Sequence, residues 1–137
     1  MASNIITWGI IAPGRIAHEF ASAMAVVEGA TILAVASRDS ERGQRFAERY
    51  DIPVQYQQYS DLLSDPAIDA VYIANPHRFH FDTIRAALTA NKHVLCEKPL
   101  TVTEAQAKVL FDLARSRKVL LMEALWTRYL PVWQAIQ

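Results

Sequence analysis

Cysteine is almost missing: Cys96 stands alone, so no internal disulfide can staple the chain, and a reducing, cytoplasmic setting is expected. The opening MASNIITWGIIA lacks the basic start and small-residue cleavage site of a secretory signal. Long hydrophobic runs are missing as well. None approaches the roughly 20 residues that cross a bilayer, and no membrane partner is expected. Nor does charge of one sign dominate, because 14 basic residues cancel 14 acidic ones and the charges are scattered, so no field favours nucleic acid. A small molecule or another protein remains as partner.

Whole motifs are absent too. There is no G-x-x-x-x-G-K-[ST] for an NTPase and no G-x-S-x-G for a nucleophile elbow. A phosphorelay receiver would need acids clustered at the ends of the early strands, where Ala12 and Ser37-Arg38 stand instead. No metal site is expected. His77 and His80 lie three apart at a helix start, and His93 and Cys96 lie three apart on a strand, where such residues face opposite sides. Cys96 then reads as a small core residue.

What is present is an alternation. Of the 137 residues 52% are hydrophobic, enough for one domain with a sizeable core. Apolar runs of strand length occur at 5–12, 31–36, 70–74, 93–97 and 119–124, with a weaker one at 53–57. They do not alternate apolar with polar, as strands covered on both faces would not. Amphipathic stretches of helical period lie between them at 14–27, 40–50, 77–90 and 103–117, with a single turn at 60–64. Asp39 or Ser40 would cap the second helix, Thr101 with Glu104 or Thr103 with Gln106 the fourth, and Gly29 would close the first. The expected fold is α/β, a Rossmann-type doubly wound parallel sheet of six strands in order 3-2-1-4-5-6.

The stretch "LWTRYLPVWQAI" (125–136) breaks this rhythm. Its two tryptophans, tyrosine, leucines and proline imply that it packs back on the domain or leads toward another one. Residues 1–124 are thus expected to form the folded unit, and 125–137 the start of a segment leading to a C-terminal substrate domain.

The run "WGIIAPGRIAHEF" turns abruptly from strand to helix. Against the dinucleotide fingerprint G-x-G-x-x-G/A it offers Ala12, Gly14 and Ala17. Pro13 fixes its φ without needing an N–H, and the helix opening at Gly14, Arg15 and Ile16 presents free N–H groups to an anion. A plain structural turn would use the same glycine. Just past the second strand comes Ser37-Arg38, where an NAD site usually carries an acid for the ribose hydroxyls. A hydroxyl and a planar guanidinium suit a 2′-phosphate, so NADP is expected rather than NAD. The plain alternative pairs Arg38 with Asp39 or Glu41.

Asn75-Pro76 follows the fourth strand at the edge where open α/β sheets bind ligands, and Glu97-Lys98-Pro99 ends the fifth at the same edge. A lysine there can hydrogen-bond a substrate hydroxyl and stabilise alkoxide character, with Glu97 holding the ammonium in place. The alternative is an ordinary edge ion pair. Tyr50, Tyr56 and Tyr59 read as packing.

Together "GIIAPGRIA", "VASRD", "ANPHRFH", "NKHVLCEKPL" and "LLMEALWTRYLP" resemble the N-terminal domain of the Gfo/Idh/MocA oxidoreductases over essentially the whole chain. The nearest likeness is to the branch of dimeric dihydrodiol dehydrogenases and NADP-dependent pentose dehydrogenases. The resemblance implies hydride transfer between NADP and a hydroxyl carbon of a sugar or cyclic diol. It makes Lys98 the catalytic contact to the reacting hydroxyl and puts Asn75, Pro76 and His80 on the cofactor side. Trp126 and Arg128 would lie near the nicotinamide and its phosphates. Two departures stand out: Ala12 replaces the first glycine, and the acid or base of the family's second domain is not within the 137 residues. A non-catalytic nucleotide-binding or assembly module, or a truncated fragment inactive alone, therefore stays open. So does association into a homo-oligomer or docking to a C-terminal domain.

Overall fold

In the computed structural model the described residues are 5–136. The strands are β1 (Ile6–Ile11), β2 (Ala30–Ala36), β3 (Val54–Tyr56), β4 (Ala70–Ile73), β5 (His93–Glu97) and β6 (Leu121–Ala124). The helices are α1 (Arg15–Met24), α2 (Ser40–Arg49), α3 (Tyr59–Ser64), α4 (His80–Thr89), α5 (Glu104–Arg117) and α6 (Pro131–Ile136), with 3-10 turns at His77–Phe79 and Trp126–Tyr129. All six strands are parallel, in the order 3-2-1-4-5-6 expected. The order reverses beside β1, so β1 and β4 diverge into helices on opposite faces and leave a crevice at their carboxyl ends.

Alternate residues supply two cores. Ile11, Val71, Ile73, Val94 and Cys96 pack with Leu62, Ile84, Leu88 and Leu110 on the α3–α5 side, while Ile10, Val35 and Tyr72 meet Ala17, Ala21 and Phe46 on the α1–α2 side. Covering on both faces therefore holds for β4 and for the carboxyl ends of β1 and β2. It fails for β5 and β6. There Val94 and Cys96 are buried, but Leu95 is only half-buried and Met122 exposed, because no described helix lies over that half of the α1 side.

Capping chemistry selects among the expected starts. Asp39, not Ser40, caps α2, its Oδ1 accepting from Arg42 N at 3.0 Å. Thr103 caps α5 by accepting from Gln106 N at 3.3 Å, while Gln106 Oε1 reaches back to Val102 N at 3.2 Å. Gly29 does not close α1. The helix ends at Met24, and Val26 and Val27 donate three residues back to Ala23 and Met24, so the chain tightens into turns before Gly29 at φ 76° admits β2. With glycine this scarce, the left-handed positions after α2, α4 and α5 fall to Asp51 (φ 53°), Asn91 (φ 59°) and Lys118 (φ 57°). Asn and Asp tolerate that region better than other side chains.

Buried Lys92 reaches the carbonyls of Asp65 and Ile68, each at 2.7 Å, and fastens the loop before β4. Among the described residues no helix is long and apolar enough to cross a membrane.

Candidate functional site

The turn after β1 shapes one end of the crevice. Ala12 takes the left-handed conformation, φ 66°, that the fingerprint's first glycine ordinarily serves, and Ala12 N donates to Ala36 O at 3.0 Å. The alanine preserves the turn at a cost in strain. Gly14 instead is extended (φ −84°, ψ −172°), and a Cβ built on it meets nothing within 4 Å. Neither backbone conformation nor packing within the fold calls for glycine there. Gly14 opens α1 with no side-chain cap bond, so it leaves the first-turn N–H groups at Arg15 and Ile16 uncapped.

These residues line one end of a groove of about 680 Å³ that runs across the carboxyl edge of the sheet. Of the residues expected from sequence, Ala12, Pro13, Gly14, Ile16, Ser37, Arg38, Asn75, Pro76, His80, Glu97, Lys98 and Trp126 all border it. The side chains of Arg15 and Arg128 do not. Both are exposed, Arg15 at the first position of α1 and Arg128 in the turn after β6.

At the β2 end, neither ion pair of the alternative reading of Arg38 forms. Asp39 lies 3.7 Å from Arg42 and Glu41 lies 3.4 Å from Arg45, whereas the Arg38 guanidinium sits 5.1 Å from the Tyr59 ring centroid and 5.6 Å from that of Phe79. Two aromatic faces thus hold it by cation–π attraction and leave its charge without an acid among the described residues. Ser37 differs from expectation: its hydroxyl is buried and donates to Asp39 O at 2.7 Å, so that proton is already committed inside the fold. Arg42, Tyr59 and Phe79 also border the groove. Their spacing from the glycine turn follows no motif: Tyr59 and Phe79 are revealed by their stacking on Arg38, and Arg42 by its place on the groove wall.

After β4, Asn75 is 5% exposed; its Nδ2 donates to Thr83 Oγ1 at 2.8 Å while its buried Oδ1 has no partner among the described residues. A buried acceptor left alone costs about 1–3 kcal/mol, so this orphan at the groove wall fits a hydrogen-bonding ligand. His80 is a brace rather than an open helix-face residue. Fully buried, it places Nδ1 2.8 Å from Pro99 O and Nε2 2.8 Å from Asn75 O, linking the loops after β4 and β5.

Glu97 does not hold the Lys98 ammonium. Its Oε1 accepts from Tyr72 Oη at 2.6 Å and its Oε2 from the Lys98 backbone N at 3.3 Å. Burial, then the bond to Glu97, pushes the Tyr72 phenol far above its ordinary range, so it stays a proton donor. Glu123 Oε1 accepts from Leu100 N at 2.7 Å and secures the far side of the same turn. Tyr72 carries no sequence signal beyond its place in an apolar strand, and Glu123 lies within the segment "LLMEALWTRYLP", which assigns it no role. Cys96 is fully buried, its thiol pushed up mainly by burial and then by the Glu97 and Glu123 charges. His93 Nδ1 accepts from Leu120 N at 3.0 Å, and among the described residues no three His, Cys, Asp or Glu stand grouped to hold a metal.

A second, apolar cavity of about 570 Å³ adjoins the groove, with Phe20, Tyr72, Leu95, Met122 and Tyr129 on its walls. Ile16, Glu97 and Trp126 border both.

Comparison with known proteins places this architecture. The profile of the Gfo/Idh/MocA family, described as an oxidoreductase family with an NAD-binding Rossmann fold, matches residues 6–125. The chain belongs to the Gfo/Idh/MocA oxidoreductase family. It is 40% identical over 132 residues to trans-1,2-dihydrobenzene-1,2-diol dehydrogenase of Xenopus laevis, covering 95% of this chain and 40% of that protein. The human enzyme of the same name is 37% identical over 134 residues, with 96% and 40% covered. The crystal structure of a 3-ketoreductase from Actinomadura kijaniata with NADP and TDP-benzene superposes with a TM-score of 0.93 at 37% identity, covering 97% of this chain and 41% of that one. An NAD-binding oxidoreductase from Klebsiella pneumoniae reaches 0.88 at 29% identity, with 95% and 37% covered. The chain thus spans about two fifths of the length of the curated relatives it matches.

Proposed function

We propose that the groove binds NADP, and that the protein transfers hydride between NADP and a hydroxyl carbon of a sugar or cyclic diol. One observation carries the choice of NADP: just past the end of β2 stands Arg38, stacked on two rings and paired with no acid among the described residues, where a carboxylate would read ribose hydroxyls. The names of the relatives, a diol dehydrogenase and a ketoreductase crystallised with NADP, agree with it.

In this reading the Ala12-Pro13-Gly14 turn and the N–H groups at Arg15 and Ile16 receive the pyrophosphate, helped by the α1 dipole. Arg38 binds the 2′-phosphate, with Arg42 as a second cation and Ser37 shaping the loop beneath. Asn75 and Pro76 border the nicotinamide end, the Asn75 amide offering its unpartnered oxygen, while His80 keeps that wall in place. When bound, the nicotinamide supplies the hydride acceptor or donor. Lys98 donates a hydrogen bond to the reacting oxygen and stabilises its developing negative charge. Trp126 screens the site from water at the Glu97 end. Residues 1–124 serve as the dinucleotide-binding unit, and 125–137 lead toward the part of the protein that reads substrate and provides the acid or base. A cytoplasmic setting agrees with the lone, buried thiol.

Titration of NADPH and NADH by fluorescence tests this. Wild type is expected to prefer NADPH, and Arg38→Asp to lose about 10- to 100-fold in NADPH affinity, the value of one or two charge-assisted bonds, with NADH little changed. An unchanged preference rejects the assignment. A second reading, an assembly module with no cofactor, is favoured by the exposure of Val132 (64%), Trp133 (46%) and Ile136 (74%). It predicts no saturable NADPH binding.

A further inference from the structure

We propose that Tyr72 is a positioning residue that keeps the Glu97 carboxylate away from the Lys98 ammonium, so that the lysine meets the groove unpaired. Glu97 and Lys98 are neighbours of opposite charge at the end of β5, where an ion pair would be the ordinary outcome. It does not form: among the described residues the salt bridges are those of Arg42, Arg45, Arg85 and Arg115, and none includes Lys98. The carboxylate is held elsewhere.

The hold is built from the α1 face of the sheet. Tyr72 and Leu95 are paired in register on β4 and β5, and Glu97 follows Leu95 by two residues, which returns it to the same face. Tyr72 is 2% exposed, and its ring stacks on Phe20 with centroids 4.0 Å apart and planes 7° apart. That stack fixes the ring plane and therefore the direction of the hydroxyl. The hydroxyl donates to Glu97 Oε1 at 2.6 Å, a short charge-assisted bond beside Leu95 and Met122. Glu97 Oε2 accepts from the Lys98 backbone N at 3.3 Å, so both oxygens are engaged. Lys98 borders only the groove, while Glu97 borders the groove and the apolar cavity. Removing the Tyr72 hydroxyl leaves a carboxylate against an apolar wall, and the adjacent ammonium is its readiest partner.

The importance of this arrangement for hydride transfer rests on the assignment of Lys98 above, but the arrangement can be measured without cofactor. The rate at which formaldehyde and a borane methylate Lys98 in the folded protein, resolved by peptide mass spectrometry, reports how free its amine is. Exposed Lys108 and Lys118 serve as internal references. Tyr72→Phe is expected to slow Lys98 about threefold relative to those references, the scale of a partly exposed ion pair, and Tyr72→Phe with Glu97→Gln to restore the wild-type rate. An unchanged Lys98 rate in Tyr72→Phe overturns the proposal, as does equal slowing in the double variant. Should Tyr72→Phe fail to fold by circular dichroism, Glu97→Gln alone decides. A change under about twofold supports the proposal, and an acceleration of about threefold or more shows that Glu97 already pairs Lys98. NADPH titration of the wild type is read separately: absence of binding ends the cofactor assignment and leaves the labelling contrast standing.

Discussion

Replacing Gly14 by alanine separates what the fold needs from what a ligand needs. The backbone at Gly14, φ −84° and ψ −172°, suits any residue, and the added methyl meets nothing within 4 Å. Two small terms act on stability. Alanine is a poorer helix cap than glycine by about 0.5–1 kcal/mol, and it lowers the entropy of the unfolded chain by a similar ~0.4–1 kcal/mol. They cancel to within about 0.5 kcal/mol, which shifts the melting temperature by less than ~2 °C in a domain of this size. Binding responds differently, because the methyl occupies the open space where an anion would approach the start of α1. Losing one charge-assisted contact there costs about 2 kcal/mol, or roughly 30-fold in NADPH affinity. Urea unfolding and fluorescence titration on the same samples read both quantities. NADPH binding at wild-type strength would show that this turn does not receive the pyrophosphate. A stability loss above ~2 kcal/mol would show that the space beside Gly14 is filled by the fold itself.

Other substitutions test other parts of the account. Ala12→Gly should relieve the strain at φ 66°, worth about 1–2 kcal/mol, less the added unfolded-state entropy of glycine, and so raise stability in urea by ~0.5–1 kcal/mol. Lys92→Met strands the carbonyls of Asp65 and Ile68 and should lower unfolding free energy by about 2–3 kcal/mol in the same assay. Cys96 should stay unreactive toward a disulfide reagent in the native protein, since it is fully buried with its thiol pushed up, and release one thiol in denaturant. Prompt native reaction would place it at the surface.

Several elements were legible because short-range chemistry specifies them. The uninterrupted apolar runs of β4 and of the carboxyl ends of β1 and β2 announce strands buried on both sides, and Asp39 and Thr103 mark helix starts through bonds to residues three positions on. The same rule misled at β5 and β6, where the runs look alike but one face is open, since periodicity reports the apolar character of a strand and not whether a helix covers it. Gly29 misled similarly. Its left-handed backbone serves the entry to β2, because α1 had already tightened at Val26 and Val27.

The groove was found from residue types at characteristic distances: a glycine turn, an arginine after the second strand, a proline turn and a lysine after the fourth and fifth. Their convergence follows from the parallel strand order alone, which brings every strand's carboxyl end to one edge. Partnership does not follow from it. Arg38 turns to Tyr59 and Phe79 instead of its acidic neighbours, His80 joins two loops, and Glu97 answers to Tyr72, 25 positions earlier, in preference to the lysine next to it. Sequence by itself determined which chemical groups reach this edge. Only the tertiary structure decided which of them are already satisfied and which remain free, because a hydrogen bond depends on distance and burial in space, and adjacent residues at a strand end point to opposite faces.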